Sequence, residues 1–253
     1  MDARRAERYA ERIGLSRLPE ATLVGLAALQ EAHLRAVPFE NLDIHAGRRI
    51  VLDEDHLFDK IVARGRGGFC YELNGLLFEL LAALGYSVRR ISARVYGAEG
   101  NLSPPYDHLA LVVDCEGQWL VDVGFGDAFV APLSLTTAEP ARQRDREYRT
   151  TLDHGHLDYA SKTPDGAWAP QYRFTLEARR WAEFEPRCAF HQTSPDSHFT
   201  QKRVVTRLTE AGRLTLRDER LIITEGARVT EVPIGSEAEW RKHLEARFGI
   251  DTP

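Results

Sequence analysis

The chain has 253 residues, 43% of them apolar and 28% charged, with a formal net charge of −5. That length and balance describe a folded protein with a substantial core, and the lack of a basic excess excludes a dedicated nucleic-acid binder, which must displace counterions from phosphates. No apolar run approaches the length of a membrane span, so no membrane partner is expected, and three cysteines are too few for a disulfide framework.

The opening residues MDARRAERYAERIGL are charged and helical in pattern, without the apolar centre of a secretory signal. With free thiols, this predicts a cytoplasmic protein. Thr22–Val37 places apolar residues on a helical period that stops at Pro38. DEDHLFDKIVARG reads as a second helix with acids in its first turn, and Cys70–Leu84 as a third, with a leucine stripe closed by Gly85. The pattern then changes. YSVRRISARVYG, HLALVVDC and WLVDVGFG are short β-branched and aromatic runs, and further strands are expected near Tyr148–Leu152 and Tyr172–Leu176. The polar stretch Thr136–Tyr148 predicts an exposed loop. ARRWAEFEPRCAFHQ predicts a helix interrupted at Pro186, with Cys188 exposed near the break. KRVVTRLT, RLTLRD and RLIITEG predict a meander, and SEAEWRKHLEARFG a last helix capped by Ser236 and ended by Gly249. Helices followed by strands imply an α+β fold.

Cys70 stands at a predicted helix start, just after Gly67 and Gly68. There the unpaired amides favour thiolate and should lower the thiol pKa, while the glycines let backbone or substrate approach. A thiol nucleophile needs a base and an orienting acid. His108 opens one strand and Asp122 lies in the next. If Cys115–Gly117 forms a three-residue loop with Gly117 left-handed, Asp114 pairs with Gln118 and Ala110 faces Asp122. His108 then shares the face of Asp122 as its diagonal neighbour. A two-residue loop would put the two on opposite faces, leaving Asp107 or Asp127 as the nearest acids. His154, His156 and the Cys188–His191 pair lack the second half of a zinc pattern, so no metal is expected.

RGGFCYELNGLL, DHLALVV and VDVGFG, in order at family-like spacing, and the earlier VPFENLDI closely resemble the arylamine N-acetyltransferases, and the match runs from the first helices to the last. The resemblance implies a helical bundle (1–85) carrying the nucleophile, a central antiparallel β-barrel (86–185) carrying the histidine and aspartate, and a C-terminal α/β lid (186–253). It implies a cysteine-protease-like Cys70–His108–Asp122 triad, with acetyl-CoA as co-substrate and ping-pong transfer to a small aromatic amine or hydrazine. It also places Phe39, Phe125 and Phe199 around the acceptor, and Gly124 and Gly126 against the coenzyme. Arg66 and Glu40 would form a buried pair behind the site. Asp127 departs from the family, where a small residue or a cation is usual, and sets an acid beside an anionic coenzyme. Two other enzyme classes fit the same three residues: thiol hydrolases with transglutaminase-like amidases, and the macrolactam-forming amide synthases of the same family.

Overall fold

The computed structural model describes residues 1–163 and 166–251. It is an α+β protein in which helices pack on the outer face of a nearly closed antiparallel barrel and a second antiparallel sheet is joined to the N-terminal half through its first strand.

The first helices are α1 (Ala3–Arg12), α2 (Leu23–Ala36), and the short α3 (Leu42–His45) and α4 (Glu54–Phe58), the last running into a π-helical turn at Asp59–Ala63; strand β1 (Phe39–Glu40) lies between α2 and α3. Helix α2 occupies the expected Thr22–Val37 period, and Thr22 caps it by accepting from the Gly25 amide. Helix α5 (Cys70–Ala83) is the buried centre of this half; Leu73, Leu76, Leu77, Leu80 and Leu81 are all sealed from solvent.

The barrel sheet consists of β2 (Ser87–Val95), β3 (His108–Asp114), β4 (Gln118–Val121), β5 (Leu133–Ser134), β6 (Ala141–Gln143), β7 (Arg146–Asp153), β8 (His156–Lys162) and β9 (Trp168–Phe174), ordered β5-β4-β3-β2-β9-β8-β7-β6. Thr150 of β7 donates to the Ser134 carbonyl of β5, linking one end of the sheet towards the other. Strand β3 is buried on both faces. Leu109, Leu111 and Val113 pack with α5, while Ala110 and Val112 point into the barrel with Tyr159 and Tyr172. The polar stretch 136–148 is not simply a loop: β6 and the start of β7 lie inside it, because their side chains are largely solvated and carry little apolar alternation. The histidines of DHGHLD sit at a tight β-hairpin, where His154 (φ 46°) and Gly155 (φ 82°) form the turn.

Beyond a 3₁₀ turn (Trp181–Phe184) come α6 (Glu185–Thr193) and α7 (His198–Gln201). Pro186 does not interrupt a helix. It occupies the first turn of α6, where the missing amide proton costs nothing. The second sheet is β1-β10-β11-β12-β13, with β10 (Val204–Leu208), β11 (Gly212–Arg217), β12 (Arg220–Glu225) and β13 (Arg228–Pro233), covered by α8 (Glu237–Phe248) through Trp240, Leu244 and Phe248. Ser236 and Gly249 cap α8 as predicted, the latter at φ 67°. Strand β1 joins the N-terminal half to this sheet by pairing Phe39 with Thr206. Asn41 secures the joint. Its amide donates to the carbonyls of Phe199 (2.9 Å) and Lys202 (2.8 Å), and its oxygen accepts from the Val204 amide (2.9 Å).

Behind α5 lies a buried ionic cluster. Lys60 Nζ is 2.8 Å from both Asp43 and Glu72, and Arg66 is bonded to Glu40 (2.8 Å), the pair expected from the sequence. Burial pushes Glu72 up to about 7 against the pull of Lys60. Removing one partner of such a cluster leaves buried charge without compensation. Lys60→Met is therefore expected to lose about 3–5 kcal/mol of stability in urea unfolding at neutral pH, whereas an exposed control, Lys242→Met, loses less than about 0.5 kcal/mol.

Candidate active site

The start of α5 is set by two close approaches. A side chain on Gly67 would lie 1.9 Å from the Pro38 carbonyl, and one on Gly68 would lie 2.6 Å from the Glu72 carboxylate. The glycine pair thus admits backbone, not substrate: Glu40 N–H donates to Gly68 O (2.9 Å) alongside β1. Glu72, held by Lys60, reaches back to accept from the Phe69 amide (3.1 Å). Cys70 is the next residue and begins the helix.

His108 Nε2–H donates to Asp122 Oδ2 at 2.7 Å, both groups being buried. This leaves Nδ1 as the ring nitrogen for proton exchange with the Cys70 thiol, and each of the two groups favours the ionised form of the other. The hairpin that brings them together has three loop residues, since Asp114 pairs with Gln118, and Gly117 has φ 134°. Two details differ from expectation. Glu116 also takes a positive φ (51°), and the ladder ends at Leu111–Val121, so Ala110 and Asp122 are not a bonded pair. Asp122 leaves the ladder because its carboxylate is taken by other donors. Oδ1 accepts from Asn74 Nδ2 (2.8 Å) and Gly124 N–H (2.8 Å), and Oδ2 accepts from the Tyr172 hydroxyl (3.0 Å) as well as from His108.

Asn74 and Tyr172 were not legible as site residues. Asn74 sits one turn after Cys70 in a helix, and Tyr172 alternates in a strand like any barrel aromatic. Asn74 also donates to Leu109 O (2.7 Å) and accepts from Val123 N–H (2.9 Å), tying α5 to both strands. Gly124 has a steric reason of its own. A Cβ there would stand 2.6 Å from Cys70 Cα and 2.8 Å from Asn74 Nδ2.

Electrostatics follow from this enclosure. Burial alone would depress His108, but the Asp122 carboxylate and the thiol lift it to about 10. Burial would raise Asp122, yet His108, Asn74 and the Gly124 amide hold it below the ordinary range. Burial pushes the Cys70 thiol up, against His108 and the Leu109 amide. The helix terminus therefore does not by itself produce a low thiol pKa, contrary to expectation. Ionisation of Cys70 depends on handing its proton to His108.

Cys70 and His108 open on a cavity of about 570 Å³ that Phe39, Phe125 and Phe199 also line, together with Gly124 and Gly126. Phe125 lies edge-on to the His108 ring (5.1 Å), and Phe39 stands 6.1 Å from Phe199. The other acids are committed elsewhere: Asp107 to His191 (2.9 Å) and Arg187, Asp127 to Arg146 (2.8 Å) and Arg213 (3.1 Å). All three cysteines are free. Cys188 is 2% exposed, because α6 turns it inward, so Cys115 is the more accessible competitor. No group of metal-ligating side chains occurs among the described residues, and none of their helices is long and apolar enough to cross a membrane.

The enclosure makes two predictions. Gly124→Ala is expected to lower the thermal midpoint and to slow alkylation of Cys70 by iodoacetamide at least tenfold, since Cys70 and Asn74 must both move. The second concerns pH. A histidine raised from 6.5 to about 10 contributes stability that is full below about 6.5 and lost as pH rises through about 10. Urea stability should decline over that window in the native protein, and His108→Gln should remove that part of the slope.

A family model described as N-acetyltransferase matches residues 22–253. An arylamine N-acetyltransferase of Mycolicibacterium smegmatis is 36% identical over 96% of this chain and 90% of its own length. The solved arylamine N-acetyltransferase from Salmonella typhimurium superposes with a TM-score of 0.93 at 30% identity, over 99% of this chain and 92% of that one. The Mycobacterium marinum enzyme, solved in complex with CoA, superposes with a TM-score of 0.90 at 32% identity, over 97% and 92% of the two chains. On sequence and fold alike, the chain belongs to the arylamine N-acetyltransferase family and is an acyltransferase.

Proposed function

We propose that the protein transfers an acetyl group from acetyl-CoA to an aromatic amine or hydrazine through an acetyl-Cys70 intermediate, in a ping-pong sequence. The observation that carries this is that Cys70 and the hydrogen-bonded His108–Asp122 pair open on one phenylalanine-walled cavity. The CoA complex of the M. marinum relative supports the donor, as does the chemistry of the cavity mouth, where Lys202, Arg213 and Arg217 stand among the hydroxyls of Thr206, Thr215 and Thr224. Cations and hydroxyl donors suit phosphate groups.

In the first half-reaction His108 Nδ1 takes the thiol proton. Cys70 Sγ attacks the thioester carbonyl, the carbon–sulfur bond to the coenzyme breaks, and His108 returns the proton to the departing thiolate. In the second, the amine nitrogen attacks acetyl-Cys70, His108 accepts its proton, and the Cys70 thiol is restored. Asp122 stays ionised throughout, orienting the ring and stabilising the imidazolium. The Cys70 amide at the helix start is one donor for the developing oxyanion; the Leu109 amide, which already faces the thiol, is the second that we assign. Phe39, Phe125 and Phe199 offer flat apolar walls to an aromatic acceptor. A reducing, cytoplasmic setting agrees with three free thiols.

Intact-mass measurement tests the reading. Acetyl-CoA alone is expected to add one acetyl group, lost in Cys70→Ala; addition that persists there, or maps to Cys115, overturns the assignment. With an arylamine acceptor, double-reciprocal plots should be parallel, and converging lines would indicate a ternary complex instead. Asp122→Asn is expected to reduce acetylation of Cys70 by as much as about 10⁴-fold, by analogy with the serine triad, in protein shown by thermal melting to be folded.

A further inference from the structure

Asp127 follows the Gly124–Gly126 segment and stands at the cavity mouth. A single oxygen, Oδ1, accepts from Arg146 of β7 (2.8 Å) and from Arg213 of β11 (3.1 Å). The carboxylate thus joins the barrel to the second sheet by holding one guanidinium from each. Arg213 is nearly buried, at 12% side-chain exposure, and also donates to the Thr206 hydroxyl (3.2 Å), itself bonded to Thr215 (2.8 Å). A guanidinium so enclosed requires an anion. Arg217, two alternations along β11, and Lys202 have no carboxylate partner among the described residues, and both line the same cavity. This wall of the cavity is therefore cationic, with one exposed acid set among the arginines.

We propose that Asp127 is an internal stand-in for a phosphate of the acyl donor: it holds Arg146 and Arg213 in place, competes with the donor's phosphates for them, and so sets how strongly the protein prefers a phosphorylated thioester to an unphosphorylated one. This rests on acetyl-CoA as the donor and adds what governs its affinity. The carboxylate acts in two ways. It neutralises one of the two guanidiniums it bridges, and it repels a phosphate approaching within about a Debye length, roughly 8 Å at physiological salt. Removing it leaves both guanidiniums without that anion, and Arg213 lines the cavity that the ligand would enter. Unit charges at such separations near a protein surface change binding by about threefold to tenfold.

The test compares acetyl-CoA with S-acetylpantetheine, which carries the same thioester but no phosphate. Asp127→Asn is expected to lower KM for acetyl-CoA about fivefold at low salt, with the gain shrinking towards 1 M salt, and to change KM for S-acetylpantetheine distinctly less. Arg213→Gln should raise KM for acetyl-CoA and abolish the gain when combined with Asp127→Asn. Asp127→Ser, with no amide to pair with arginine, should reproduce the gain; thermal melts establish that each variant is folded. Equal responses of the two thioesters, or a raised KM for acetyl-CoA in both Asp127 variants, would overturn the proposal while leaving the donor reading intact. If native protein is acetylated at Cys70 by S-acetylpantetheine but not by acetyl-CoA, or by neither, the donor reading fails and this proposal falls with it.

Discussion

The Asp122 carboxylate is the constraint around which the molecule is arranged. It is fully buried, and a buried carboxylate is tolerable only when its lone pairs are met. Each oxygen accepts two hydrogen bonds: Asn74 and the Gly124 amide on one side, His108 and Tyr172 on the other. Those donors come from α5, β3, β9 and the turn after β4. No two of the three larger elements can shift independently without leaving a buried charge short of a partner. The site is therefore fixed by the same interaction that joins helix to barrel.

A second electrostatic unit sets the other half of the geometry. Lys60 and Arg66 gather Glu40, Asp43 and Glu72 behind α5, and Glu72 in turn fixes the amide just before Cys70. Cys70 is thus located from behind by ion pairs and from in front by the Asn74–Asp122 link. Burial strips the thiolate of its hydration, and this outweighs the help it receives from His108 and the Leu109 amide. Its charge is favoured only together with that of His108, so nucleophilicity belongs to the pair.

The cavity lies between elements of different origin. Phe39 comes from β1, Phe125 from the turn after β4, and Phe199 from α7, while the second sheet supplies the cationic mouth. Asn41 and Asp127 connect these parts, the first through three backbone groups and the second through two arginines. An apolar wall and a charged wall share one cavity because one side is lined by phenylalanine rings and the second sheet by threonines and arginines in alternation.

Much of this was written locally. Helices α2, α5 and α8 show in their leucine periods and caps, since period and capping depend on neighbours three or four residues away. The loop at Cys115–Gly117 could be counted from turn chemistry, and the count placed His108 and Asp122 on one face. Family motifs identified Cys70 with them. Strand β6 escaped because a solvated edge strand needs no apolar alternation, and Pro186 misled because a proline that breaks a helix and one that begins a helix look alike in sequence. What only the tertiary structure decided are the partners: that Asn74 and Tyr172 complete Asp122, that Gly124 is required by Cys70 Cα, that burial turns the thiol pKa upward, and that Asp127 bridges two sheets. The physical reason is common to all four. Desolvation, steric contact and hydrogen-bond saturation depend on which atoms meet across the fold, and residues 19 to 86 positions apart meet only once the barrel, the helices and the second sheet have closed together.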